Sequence, residues 1–183
     1  VLELGERYPG DAGVLAAMLL NRISLVEGEG IYLPAGNLHA YLHGMGFEVM
    51  ANSDNVLRGG LTPKHVDVPE LLRVLDFTPT DGRPIHPRPA DDGVEEVFDT
   101  PAPEFAVTIL RIDDDRVGSA VEVPQRHAGP QILLGTHGRV QVHSAGGELT
   151  LKKGAAAWIA AGEGPVRLVA EEPSTVFRAT VGI

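Results

Sequence analysis

From residue 105 onward the chain breaks into eight short apolar runs, at 106–112, 119–123, 132–134, 140–143, 148–151, 156–160, 166–169 and 175–180. Turn signals separate them, among them Asp113-Asp114-Asp115, Ala145-Gly146-Gly147 and Gly162-Glu163-Gly164. Runs this short, closely spaced and bounded by turns, predict an antiparallel sandwich or small barrel rather than helices. The 22 glycines and 14 prolines supply the many turns that such a fold needs.

The whole chain has 183 residues, room for one domain or two small ones. A hydrophobic content of 43% is enough for a proper core. No apolar run is long enough to cross a membrane as a helix. The opening VLELGERYPGD lacks the basic-then-apolar pattern of a signal peptide. Zero cysteines rule out disulfides and thiolate chemistry, and fit a reducing, cytoplasmic setting. A net charge of −10 argues against nucleic acid as a partner. It also means that an anionic substrate needs a local basic pocket.

Before residue 105 the pattern is mixed. Residues 11–22 read as the clearest long helix, with Asp11 as its cap and Val14, Leu15, Met18 and Leu19 at helical spacing. Short strands are expected at 24–26, 31–33 and 47–50. Pro69 suits the first position of a helix over 70–75, with Leu71, Leu72 and Leu75 toward a core. Residues 78–103 hold six prolines and little periodicity, and read as a connector in which His86 is an exposed loop histidine. The expected division is therefore 1–78, a connector at 79–104, and a β domain at 105–183.

Most of the polar chemistry lies in 28–64. Pro34 and Gly36 mark a tight turn that throws His39 to the start of the next segment, where a neutral imidazole can offer a lone pair to a metal. After it come Glu48, the turn Asn52-Ser53-Asp54-Asn55, Arg58 and Lys64. Asn, Ser and Asp favour turns by bonding their own backbone, so this stretch also reads as an ordinary solvated loop. Arg58 and Lys64 offer a planar fork of donors and a compact point charge, the pair that an anionic group needs.

Gly28, Pro34, Gly36 and His39 resemble the second metal-binding motif of the cupins, small β-barrels that hold a metal inside; that motif ends on an Asn where this chain has His43. The longer run HAYLHGMGFEVMANSDNVLRGGLTPKHVDVPELL, with YPGDAGVLAAMLLNR upstream, resembles the signature of type I phosphomannose isomerase, strongly over 8–77 and weakly beyond. The resemblance implies a mainly β fold of cupin-type jelly-roll barrels. Residues 1–78 would be part of the catalytic cupin with helical insertions, and the chain the C-terminal portion of a longer protein. Residues 105–183 look like a cupin-like domain without metal ligands. In it Gly154 and Gly162 echo Gly28 and Gly36, Pro165 stands at the place of His39, and Gly135-Thr136-His137-Gly138 resembles the hairpin that opens a cupin barrel. His127, His137 and His143 are then surface or core residues.

The implied activity is a zinc-dependent interconversion of mannose 6-phosphate and fructose 6-phosphate, within mannose metabolism. The resemblance makes His39 a zinc ligand and Arg58 catalytic, stabilising the enediolate. Asp54 or Glu48 moves the proton, and Lys64 and Asn52 bind substrate. The family's other zinc ligands, a Gln-x-His pair and a Glu, are not visible; Gln125-Arg126-His127 has the spacing but lies outside the expected catalytic barrel. On this chain alone weak zinc binding or none is expected. Two other readings stand: a sugar-phosphate-binding module without catalysis, and another cupin activity such as an epimerase or dioxygenase, against which the uninterrupted SDNVLRGGLTPK argues. Glu48 holding Arg58 or Lys64 by a salt bridge, and Asp54 capping its turn, are the plain structural alternatives. The expected partner is a small sugar phosphate, with neither nucleic acid nor membrane.

Overall fold

Each of the eight apolar runs expected after residue 105 overlaps a strand. The structure is a computed structural model that describes residues 1–53, 56–125 and 129–181. The chain divides into two compact units. One comprises Val1–Glu27, Ile31–Glu48 and Asn52–Pro84; the other comprises Gly28–Gly30, Val49–Ala51 and Ile85–Ile183.

The second unit is built from ten strands: β1 (Arg88–Pro89), β2 (Glu95–Phe98), β3 (Phe105–Ile112), β4 (Ala120–Val123), β5 (Gln131–His137), β6 (Arg139–Ser144), β7 (Gly147–Lys152), β8 (Ala156–Ile159), β9 (Val166–Ala170) and β10 (Ser174–Val181). One sheet runs β1-β2-β3-β10-β5-β8 and the other β4-β9-β6-β7. All pairings are antiparallel. Leu110, Leu133 and Val176 of the first sheet meet Val142, Leu151 and Leu168 of the second in one apolar core. Each of these side chains is at most 2% exposed, so their burial contributes much of what holds this unit together.

Two expectations change here. The 78–103 stretch, read as a connector, contains β1 and β2, and Glu95 and Phe98 within it are buried. Its prolines sit where the ladder tolerates them, with Pro89 in β1 at the sheet edge. Residues 135–138 are not a hairpin. β5 and β6, on either side of Gly138, belong to different sheets, and the chain turns a corner there. His86 is 71% exposed as expected and lies 3.7 Å from Glu29. His137 bonds the Pro173 carbonyl, and His143 faces Glu148 at 3.0 Å. His127 lies outside the described residues.

The first unit has a different character. Among its described residues Gly13 alone is fully buried. Its helices are α1 (Leu2–Arg7), α2 (Gly13–Ala16) and α3 (Val68–Val74). The long helix expected over 11–22 is reduced to the single turn of α2. Leu15, Met18 and Leu19 are 67%, 64% and 87% exposed, and a short helix without a packed face has little to hold it. The expected strands at 24–26, 31–33 and 47–50 do not form. A strand needs a ladder partner, and near them only an isolated bridge between Gly30 and Ile85 is found. α3 matches its prediction more closely: Asp67 caps it by accepting from the Glu70 N–H at 3.0 Å, with Pro69 in the first turn. Leu72 nevertheless stays 58% exposed. No helix among the described residues is long and apolar enough to cross a membrane.

Candidate functional site

The turn before His39 is fixed by backbone geometry. Asn37 N–H donates to the Pro34 carbonyl at 3.3 Å, and the Gly36 carbonyl accepts from Asp76 N–H at 3.0 Å. Gly36 has φ +80°, and a Cβ there would lie 2.9 Å from the Val74 carbonyl oxygen, so both the handedness and the closeness require glycine. The turn delivers an exposed His39 whose Nδ1 lies 3.1 Å from the Asn37 carbonyl. With the proton on Nδ1 donated to that carbonyl, Nε2 keeps its lone pair, the arrangement of a metal-binding imidazole.

Two residues on, the Tyr41 ring meets His39 edge to face, with centroids 6.0 Å apart and planes at 74°. The chain bends at Gly44 on its way to Glu48. Partial burial, then the hydrogen bond and charge of Glu48, push Tyr41 up to about 12, so the phenol stays a donor throughout the neutral range. Among the described residues no ion pair joins Glu48 to Arg58 or Lys64. Tyr41 was missed because an aromatic in a turn-rich stretch carries no chemical signal of its own; its spacing of two from His39 was the only hint.

The Arg58 segment is placed by its neighbours. A Cβ on Gly59 would fall 2.3 Å from a Leu38 methyl, so the backbone beside Arg58 lies against the residue before His39. Leu61 adopts φ +54°, a costly conformation for a branched side chain, and persists because its N–H is held by Asp11 Oδ2 at 2.8 Å. Asp11 Oδ1 accepts from Gly13 N–H at 2.7 Å. One carboxylate thus ties the start of α2 to the loop carrying Arg58. Replacing Asp11 with alanine is expected to remove about 1–3 kcal/mol of local stability. Amide exchange at Leu61 should become roughly tenfold faster or more, while exchange in β10 stays unchanged.

Arg58, Lys64, Glu48 and Asn52 are all exposed. Lys64 N–H donates to the Thr62 hydroxyl at 3.2 Å, which shapes the Thr62-Pro63-Lys64 turn. The structure brings His39 and Tyr41 into ring contact and sets the Gly59 backbone against Leu38. Asp54 lies outside the described residues, as does the Arg126-His127 part of the Gln-x-His spacing. No group of three His, Cys, Asp or Glu that could hold a metal occurs among the described residues. The fit to zinc is thus one ligand deep: His39 suits the role, and the described residues supply no full set.

No family model matches the chain. It is 39% identical over 163 residues to the mannose-6-phosphate isomerase of Escherichia coli (strain K12), which covers 89% of this chain and 40% of that protein. The Rattus norvegicus mannose-6-phosphate isomerase is 37% identical over 186 residues, covering 98% of this chain and 43% of its own length. The chain therefore spans about two fifths of the length of these relatives. The solved mannose 6-phosphate isomerase of Salmonella typhimurium, bound to fructose 6-phosphate and zinc, superposes with a TM-score of 0.80 at 35% identity. It covers 98% of this chain, which in turn covers 44% of it. Solved variants of that protein replace with alanine a histidine, a glutamate nine residues on and an arginine ten residues further. His39, Glu48 and Arg58 have the same residue types at the same spacing.

Proposed function

This chain is a homologue of the mannose-6-phosphate isomerases, and on that footing we propose that it carries the proton-transfer and anion-binding part of an aldose–ketose isomerase site. The substrates are mannose 6-phosphate and fructose 6-phosphate, and the setting is the cytoplasm. The observation that carries the reading is the run of His39, Glu48 and Arg58, at the spacing of the residues altered in the Salmonella protein.

The chemistry fits these groups. Moving the carbonyl from C1 to C2 requires a proton to leave C2 and return to C1 through a cis-enediol, while a hydroxyl proton passes from O2 to O1. A carboxylate is a suitable base for the carbon-bound proton. Glu48 is the candidate whose placement is described; Asp54 remains the alternative. The guanidinium of Arg58 offers a fixed fork of donors to the oxyanion that develops as the proton leaves. Lys64 and Asn52 are suited to the phosphate and the sugar hydroxyls. Zinc would polarise the sugar oxygens, and His39 is the ligand this chain contributes to it. The remaining ligands are not among the described residues, so the zinc-dependent reading requires groups beyond them.

Exchange of the matching segment of the Escherichia coli enzyme for this chain tests the proposal. The chimera should interconvert the two sugar phosphates when zinc is supplied, measured by a coupled assay. A folded chimera that binds fructose 6-phosphate without turning it over would instead favour the binding-module reading and overturn the catalytic one.

A further inference from the structure

The start of α2 and the loop after Arg58 meet at Gly13, the fully buried point of the first unit. A Cβ on Gly13 would lie 3.2 Å from the Leu61 nitrogen, and one on Gly60 would lie 3.1 Å from the Gly13 Cα, so the two backbones pack with no room for a side chain between them. Asp11 closes this junction with both oxygens: Oδ1 accepts from Gly13 N–H at 2.7 Å and Oδ2 from Leu61 N–H at 2.8 Å. Such bonds are charge-assisted, and two of them from one half-buried side chain fix both place and direction. They hold Leu61 at φ +54°, a conformation that a leucine keeps only where its surroundings impose it. Arg58 stands three residues before Leu61, joined to it by Gly59 and Gly60, which have no side chains to anchor them. Gly59 in turn rests on Leu38, the neighbour of His39. We propose that Asp11 is a positioning residue for Arg58: by holding Leu61 it keeps the Gly59-Gly60 link seated on Leu38, and so keeps Arg58 at a fixed offset from the His39 turn.

This role rests on the isomerase reading above, in which Arg58 stabilises the enediolate, and extends it to a carboxylate that itself meets no substrate. Lys64 lies three residues beyond Leu61, but its turn is closed separately by the Thr62 hydroxyl, which accepts from Lys64 N–H at 3.2 Å. The loss of Asp11 should therefore fall on Arg58 more than on Lys64, and on kcat more than on KM. A carboxylate that served the fold alone would matter equally with Arg58 present or absent, and that difference can be measured.

In the chimera with the Escherichia coli enzyme, Asp11→Ala should lower kcat about tenfold or more at a KM within about threefold, because a small displacement of a catalytic group is costly. The same substitution in an Arg58→Ala background should change kcat by less than about twofold, since the loop then has no guanidinium left to aim. Asp11→Asn keeps one acceptor oxygen and puts an NH2 group in place of the other, so its kcat should fall between those of Asp11→Ala and the parent. In the chain itself, the nuclear Overhauser contact between the Gly59 α-protons and the Leu38 methyls should be lost in Asp11→Ala, while the contacts that pair β3 with β10 persist and show that the β unit is folded. An unchanged kcat in Asp11→Ala, or an equal loss with and without Arg58, would overturn the positioning role. Persistence of the Gly59–Leu38 contact in Asp11→Ala would overturn the seating of the loop. A chimera inactive with Asp11 intact would instead count against the isomerase reading, and the Gly59–Leu38 contact would still decide whether Asp11 holds the loop in place.

Discussion

Replacing Arg178 with alanine is expected to lower the stability of the β unit by about 3–5 kcal/mol. Arg178 lies in β10, and its side chain is 1% exposed; its partner Glu95, in β2, is 0% exposed. Arg178 Nη2 donates to Glu95 Oε2 at 2.5 Å, and Nη1 donates to the Pro124 carbonyl at 2.6 Å and to Gln131 Oε1 at 3.2 Å. Its Nε donates to the Thr108 hydroxyl at 3.3 Å, and that hydroxyl donates to Glu95 Oε1 at 2.8 Å. Removal of the guanidinium leaves a buried carboxylate without its counter-charge, together with a cavity between the sheets. The cost is that of the stranded charge, not the net worth of the pair, so pairing Arg178→Met with Glu95→Leu should recover a large part of the loss. Urea unfolding of the two variants checks this. A loss below about 1 kcal/mol in the single variant would mean that water reaches the pair. Among the described residues this layer replaces at one end of the sandwich the apolar packing of Val176 and Leu110, and it connects β2, β3, β5 and β10.

Replacing Arg58 with alanine should have the largest effect on activity, a fall of roughly 10²–10³-fold in kcat for a lost oxyanion donor. Arg58 is exposed and its neighbours are set by Gly59 and Asp11, so the fold should be untouched. KM should change much less than kcat, because the charge that Arg58 meets develops only as the proton leaves. Lysine at this place keeps the charge and loses the planar fork, so Arg58→Lys should fall between the two. The chimera with the Escherichia coli enzyme is the right carrier for both variants. Equal losses in kcat and in phosphate affinity would move Arg58 from the enediolate to the phosphate.

The β unit was legible because its strands repeat the simplest signal a sequence carries. The expected runs at 106–112 and 175–180 fall within β3 and β10, and turns lie where Gly and Asp cluster. The first unit was legible only as chemistry. The stripe at Val14, Leu15, Met18 and Leu19 predicts a helix that needs a surface to pack on, and most of those side chains remain exposed. The segments at 31–33 and 47–50 have strand composition but find no ladder partner among the described residues. Local preference is weak beside pairing and packing, and where those are missing the preference is not realised.

By itself the sequence determined the mainly β character, through spacing and turns, while His39, Arg58 and the alternative carboxylates Glu48 and Asp54 were singled out by the resemblance of the stretch that holds them. The tertiary structure alone decided three things. It placed β5 and β6 in different sheets across Gly138, because sheet membership depends on partners far along the chain. It put Arg178 opposite Glu95, across a separation of 83 residues, because period two says which residues share a face but not which face turns inward. It also set the Gly59 backbone against Leu38, since the approach of two segments far apart in the chain fixes a direction in space that no residue type encodes.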